Sequence, residues 1–178
     1  MKKVLITAFE PFYKSNNNYS KEVLNYINLN NAHLDKKILD VVYDECFEML
    51  SKTDLSQYNL IVALGEARSR QALTVEKQAK NIASCSIKDN KGNLKQNEII
   101  DKTKLETLET LLDLNIVKEF ADISYDAGKF VCNNLYFHLL SYDNSKCLFI
   151  HVPECYNDEL LYKKYALDIQ NIIETLLK

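Results

Sequence analysis

Glycine and proline are scarce in this chain. Its 178 residues hold three glycines (Gly65, Gly92, Gly128) and two prolines (Pro11, Pro153), where average usage of about 7% and 5% would give roughly twelve and nine. So few breakers exclude a collagenous, low-complexity or linker-rich chain. They also make each survivor informative, as a position where the backbone accepts little else. An excess of positive charge is missing too: the formal net charge is −3, which leaves no electrostatic footprint for nucleic acid. No apolar run approaches the ~18 residues of a membrane span, so no membrane partner is expected. The apolar opening that starts at Val4 is interrupted by Thr7 and ended by Glu10. It is too short for a signal-peptide core and reads as a first strand. The five cysteines (Cys46, Cys85, Cys132, Cys147, Cys155) form no Cys-x-x-Cys pair and no disulfide-like framework. An odd count without a signal peptide points to a reducing, cytoplasmic setting.

What is present is a foldable chain. Apolar residues make up 47% and charged residues 26%, the balance of a soluble globular domain rather than a disordered one. One domain over residues 1–178 is expected.

Strand-like and helix-like patterns alternate. Val4–Ala8 reads as a buried strand. Ser20–Ile27 spaces Val23, Leu24 and Ile27 as an amphipathic helix does, with Ser20 its candidate N-cap. Ile38–Tyr43 is β-branched and strand-like, Cys46–Leu50 a short helix, and Leu60–Leu64 a central strand stopped by Gly65. A further strand is expected within 72–82, a turn at Asp89–Asn93, a helix over 102–114 and a strand at Phe120–Ser124. Gly128 turns the chain into a helix over 131–141. Cys147–Val152 is a strand ended by Pro153, and a long amphipathic helix carries Leu161, Tyr165, Ile169, Ile172, Ile173 and Leu176. This alternation predicts an α/β protein, a three-layer α/β/α sandwich around a mixed, largely parallel sheet.

A cysteine nucleophile needs a base to take its proton and a third group to orient that base. It also gains from a helix N-terminus, whose amide dipoles lower the thiol pKa and can hold an oxyanion. Of the five cysteines only Cys132 follows a glycine turn at the start of a predicted helix. Of the three histidines, His151 falls at the carboxyl end of a predicted strand, the edge where sites of α/β sheets gather. Spacing alone leaves two readings open for both residues: core packing, or a Cys–His hydrolase. His138 and His33 read as packing and solvated residues, and Cys132, His138, His151 and Cys155 have no recognised metal-ligand spacing.

Four segments then carry a resemblance. Val4-Leu-Ile-Thr-Ala-Phe-Glu-Pro-Phe12 is similar to an opening strand with a Gly-Phe-Glu-Pro-Phe motif. Gly65-Glu-Ala-Arg-Ser-Arg70, followed by Leu73-Thr-Val-Glu76 and Asn81-Ile82, resembles a glycine-rich segment and a glutamate strand. Asp126-Ala-Gly-Lys-Phe-Val-Cys-Asn133 resembles a nucleophile motif, and Phe149-Ile-His-Val-Pro153 a histidine motif. In this order they resemble the pyroglutamyl peptidase I family, cytoplasmic cysteine peptidases that remove an N-terminal pyroglutamate. The resemblance implies a phosphorylase/hydrolase-like fold, with Cys132 as nucleophile, His151 as general base and then acid, and Glu76 orienting the imidazole. It implies a lactam pocket lined by Phe9 and Phe12, with Asn18 and Ile87 as further substrate-binding positions; Glu66, an acid beside Gly65 where the family tends to have a neutral residue, is a further substrate-binding candidate. No metal or organic cofactor is implied. The partners implied are a pyroglutamyl peptide and other copies of the chain, as a dimer or tetramer.

The chain also departs from the family. Ser86 stands for an arginine near the cysteine and Lys88 for a proline. Arg68 and Ser69 replace two glycines, Tyr13 and Lys14 replace others, and Ala8 stands for one more. The stretch between Asn90 and Ser124 is shorter than usual. The alternative expectation is therefore a non-catalytic or specificity-shifted relative that binds a peptide end or partner. Glu66 reads either as a solvated carboxylate paired with Arg68 or Arg70, or as a pocket carboxylate that would favour a cationic group.

Overall fold

The computed structural model describes residues 1–178. Eight strands and four α-helices follow one another as β1 (Lys2–Phe9), α1 (Tyr19–Tyr26), β2 (Ala32–Leu39), α2 (Glu45–Ser51), β3 (Leu60–Glu66), β4 (Thr74–Glu76), β5 (Gln78–Lys80), β6 (Thr107–Glu109), β7 (Asp122–Ser124), α3 (Val131–Asp143), β8 (Cys147–Val152) and α4 (Glu159–Leu176). Six strands form one sheet in the order β2-β1-β3-β8-β4-β7, and β5 and β6 form a separate antiparallel pair. β2, β1, β3 and β8 run parallel; β4 is antiparallel to β8 and parallel to β7.

Both faces of the sheet are covered, which is why its central strands are continuous apolar runs. The two-residue period sorts their side chains. Val4, Ile6 and Ala8 of β1, Val62 and Leu64 of β3, and Leu148, Ile150 and Val152 of β8 pack on one side with residues of α1 and α4. Leu5 and Phe9, Ile61 and Ala63, and Cys147 and Phe149 pack on the other with Val131, Leu135, Tyr136 and Leu139 of α3. The expected mixed, largely parallel α/β sandwich is what the chain forms.

Several local expectations shift. The helix near residue 20 starts one residue earlier, and its cap is Asn18, whose Oδ1 accepts from the Ser20 backbone N–H at 3.1 Å and the Ser20 hydroxyl at 2.7 Å. The second strand lies at Ala32–Leu39 rather than 38–43; it pairs with β1 until β1 ends, Phe9 opposite Leu39. As an edge strand it keeps half-buried polar residues, which hid it from an apolar search. Gly65 does not stop β3, which runs on to Glu66. The strand expected within 72–82 is two short strands in different sheets. The helix expected over 102–114 is absent. The Asn81 side chain donates to the backbone carbonyls of Asp101 at 2.7 Å and Leu105 at 3.1 Å and accepts from the Asp101 N–H at 2.9 Å. Residues 107–109 then pair with β5, so tertiary hydrogen bonding overrides local helix propensity.

The helix over 131–141, the strand at 147–152 and the closing helix form as expected. Tyr13 and Lys14 adopt left-handed backbone, with φ of 42° and 56°. The loop thus keeps a glycine-like conformation where the resemblance expects glycine, at a cost of order 1 kcal/mol per residue.

Candidate active site

Three neighbouring parallel strands deliver side chains to one edge. Phe9 ends β1, Gly65 and His151 stand one residue before the ends of β3 and β8, and the strand register sets Gly65 opposite His151. By alternation they share the α3 face with Phe149. The N-terminal turn of α3, entered through Gly128 at φ 78°, brings Cys132 over that face. Cys132 and His151 line one cavity of about 130 Å3 together with Phe9, Phe12, Asn18, Glu66 and Lys129. Phe12 packs at a tilt against Phe130 with ring centroids 5.8 Å apart, giving the cavity an aromatic wall.

β4 runs antiparallel to β8, so Glu76 stands opposite Phe149 and diagonal to His151. Its Oε1 accepts from His151 Nδ1 at 2.7 Å, and the carboxylate is fully buried. Arg70 binds the same Oε1 at 3.2 Å and also reaches Ser124 Oγ at 3.0 Å and the Asp126 carbonyl at 2.7 Å. One guanidinium therefore ties the Glu76 carboxylate to the turn that leads to Cys132. The sequence reading considered Arg70 only as a partner of Glu66. The signal that could have found this role was its place six residues before a buried glutamate, across a turn. The Tyr136 hydroxyl donates to the Glu76 carbonyl at 2.8 Å.

The thiol environment differs from the expected helix-dipole activation. Burial pushes the Cys132 thiol well above its ordinary value, and the neighbouring Cys46, Glu76 and Glu66 push it further; the helix amide opposes them weakly. The first helical backbone bond of α3 is donated by Asn134, to the Phe130 carbonyl at 3.1 Å. The N–H groups of Val131 to Asn133 precede it and belong to the unpaired first turn. Gly65 is required for the approach of the thiol: a Cβ there would lie 2.7 Å from Phe149 Cζ and 2.8 Å from Cys132 Sγ.

The other expected positions divide. Asn18 lines the cavity, but its side chain is committed to capping α1 and to the Glu10 carbonyl at 3.1 Å. Glu66 does pair with Arg68, at 2.6 Å, yet its side chain is only 2% exposed, so it is not a solvated loop acid. Its other oxygen accepts from the Tyr19 N–H at 2.8 Å, at the start of α1. Ile87 is half-buried and lies outside the lining of the cavity. Ser86 and Lys88 are exposed, and Arg68 is engaged by Glu66 and Ser15. None of these three lines the Cys132 cavity. Tyr13 lines a separate cavity beside it and Tyr19 packs in the core of the opposite face, so neither fills it.

His138 stacks on Phe47 and meets Asp44 at 3.2 Å. The Cys155 thiol faces the Pro153 carbonyl at 3.3 Å. No three His, Cys, Asp or Glu side chains are grouped to hold a metal ion. No helix is long and apolar enough to cross a membrane.

The fold is an α/β sandwich that sets a buried carboxylate–imidazole pair and a helix-start cysteine at the carboxyl edge of its parallel strands. A model of the pyroglutamyl peptidase family matches residues 2–176. The pyrrolidone-carboxylate peptidase of Thermosipho africanus is 30% identical over 192 aligned positions, covering 98% of this chain and 93% of the relative. Among solved structures, pyroglutamyl peptidase I of Bacillus amyloliquefaciens superposes with a TM-score of 0.87 at 26% identity, over 100% of this chain and 98% of that one. The pyrrolidone carboxyl peptidase of Thermococcus litoralis superposes with a TM-score of 0.88 at 25% identity, over 99% and 94%. The chain belongs to the pyroglutamyl peptidase family.

Proposed function

We propose that this chain is a cysteine hydrolase that removes the N-terminal pyroglutamyl group from peptides through a thioester, with Cys132 as nucleophile, His151 as general base and acid, and Glu76 as the group that orients His151. The observation that carries this reading is the buried 2.7 Å hydrogen bond between His151 Nδ1 and Glu76 Oε1, beside a cavity that Cys132 shares with His151 and the phenylalanines Phe9, Phe12 and Phe130. An Nδ1–H donated to a carboxylate leaves the lone pair of a neutral imidazole on Nε2, the nitrogen free to accept a proton from a thiol.

Burial raises the Cys132 thiol, and Nε2 takes its proton as Sγ attacks. Sγ adds to the pyroglutamyl carbonyl carbon, and the oxyanion lies toward the unpaired first-turn N–H groups of α3. Collapse breaks the C–N bond, and the imidazolium gives its proton to the departing amine. Water, deprotonated by Nε2, then adds to the thioester. Pyroglutamic acid leaves and the thiol is restored.

The acyl selectivity follows from the walls. A lactam ring is small and uncharged and suits the apolar surface of Phe9 and Phe12. Both oxygens of Glu66 are occupied, by Arg68 and by the Tyr19 N–H. No free carboxylate is left to compensate a desolvated ammonium, so a free N-terminus is rejected. Asn18 supports this wall by capping α1.

The test is turnover of pyroglutamyl-7-amido-4-methylcoumarin. Wild-type protein releases the fluorophore. Cys132→Ala releases none, and Glu76→Gln lowers kcat by about 10²- to 10⁴-fold, as in other triads whose orienting carboxylate is neutralised. Undiminished turnover by Cys132→Ala overturns the proposal. Absence of turnover in wild type, with pyroglutamyl peptides still bound in calorimetry, establishes the non-catalytic binding reading instead.

A further inference from the structure

A second cavity, of about 510 Å3, opens next to the first, and Lys129 lines both. Its walls are fixed to the nucleophile's own turn. The Lys80 N–H donates to Asn133 Oδ1 at 2.8 Å, Asn133 Nδ2 donates to the Lys80 carbonyl at 2.8 Å and the Ile82 carbonyl at 3.0 Å, and the Ser84 N–H donates to the Lys129 carbonyl at 2.9 Å. Asn81 ties the opposite wall through Asp101.

Direction follows from what each neighbouring cavity shares with the catalytic one. The cavity of Tyr13 and Arg68 joins it through Phe12 and Glu66, at the acyl pocket. The second cavity joins it through Lys129, three residues before Cys132. With a lactam ring against Phe9 and Phe12, the peptide on the far side of the scissile bond runs past Lys129 into this second space.

Its charge leans positive. Lys102, Lys104 and Lys129 are exposed and make no ion pair or side-chain hydrogen bond, whereas Lys80 is held by Asp126 at 2.9 Å. Against the three free lysines stand Glu106 and Asp101, whose Oδ1 is turned to the Thr103 N–H at 2.8 Å and its hydroxyl at 2.7 Å. The lining therefore carries one net positive charge, three lysines against two carboxylates, on a chain whose net charge is −3.

Resting on the proposed function, we infer that this cavity receives the leaving segment of the substrate and that Lys102, Lys104 and Lys129 make it select pyroglutamyl peptides with acidic side chains in that segment. The probes are pyroglutamyl-Ala-Glu-Glu, -Ala-Gln-Gln and -Ala-Lys-Lys amides. At about 20 mM salt, kcat/KM for the Glu peptide exceeds that for the Lys peptide by about 5- to 20-fold, and at about 0.5 M salt the ratio falls to within about twofold of one. Lys102→Gln/Lys104→Gln collapses the low-salt ratio. The charge-matched control Lys52→Gln/Lys118→Gln, at exposed positions outside the cavity, leaves it intact. Equal kcat/KM for the three peptides at low salt, or a ratio unmoved by the double substitution, overturns the inference while the hydrolase reading stands. If no pyroglutamyl peptide is cleaved, the hydrolase reading has failed. Calorimetric Kd values for the same peptides then decide the cavity's preference, equal values overturning it.

Discussion

Gly65→Ala tests the geometry of the site at its tightest point. The added Cβ would stand 2.7 and 2.9 Å from two atoms of the Phe149 ring and 2.8 Å from Cys132 Sγ. The ring cannot yield readily, because Phe149 is fully buried and packed between Tyr136, with centroids 5.6 Å apart, and His151, at 4.9 Å. Cys132 borders the open cavity on its other side, so the thiol moves. Restoring an ordinary separation of about 3.5 Å from 2.8 Å needs a displacement of roughly 0.7 Å, the difference of the two. A misplacement of that order at a reacting atom costs up to about 10²-fold in rate, and the residual overpacking costs about 1–3 kcal/mol of stability. The assay pairs kcat/KM on the pyroglutamyl coumarin amide with urea denaturation. The expected result is a fall of one to two orders of magnitude together with a lower midpoint. Gly92→Ala is the contrast: its φ is 87° and nothing lies within 4 Å of the new Cβ, so it loses about 1 kcal/mol of stability and no activity. If Gly65→Ala keeps kcat/KM within about twofold of wild type with an unchanged midpoint, the steric reasoning is wrong.

Two further outcomes concern titration. Since burial raises the Cys132 thiol, its alkylation by iodoacetamide, followed at this site by peptide mass spectrometry, accelerates continuously from about pH 6 to about pH 10; a plateau setting in below about pH 7 contradicts the protonated thiol. Asp44 is held well below the usual carboxylate range, first by the hydrogen bond from His138 and then by those from Lys95 and Asn134, against burial. A depressed folded pKa adds stability above the unfolded value, and this is lost as pH falls through the folded one. Asp44→Asn is isosteric and meets the same backbone constraint, φ 62° and ψ −42°. It is therefore less stable than wild type near pH 7, and the gap between their urea midpoints closes as pH drops below about 4. A gap that is constant from about pH 7 to about pH 2.5 refutes the linkage.

Legibility in the sequence followed burial. The strands at 4–8, 60–64 and 147–152 lie inside the sheet with both faces covered, and a continuous apolar run is the signature of that environment. The edge strand at 32–39 and the pair β5–β6 are specified by partners far along the chain and carry no local pattern. Residues 102–114 have helical spacing, yet Asn81, about twenty residues upstream, claims the backbone groups a helix would have used. Cys132 and His151 were legible as candidates from their places at segment boundaries and Glu76 from the family resemblance, but the contacts of Arg70 were not. Its partners Glu76, Ser124 and Asp126 meet only after β4, β7 and the turn before α3 have assembled.

The sequence by itself determined the α/β class, the positions of the central strands and of α3, and the family to which the chain belongs. These rest on short-range patterns and on motifs whose residues are neighbours in the chain. Only the tertiary structure decided that both Glu66 oxygens are occupied, that Ser86 and Lys88 lie outside the cavity, and that three unpaired lysines stand beside the turn that leads to Cys132. Charge compensation and cavity shape depend on distances between residues dozens of positions apart. Those distances are fixed by strand register and packing, not by anything written locally in the chain.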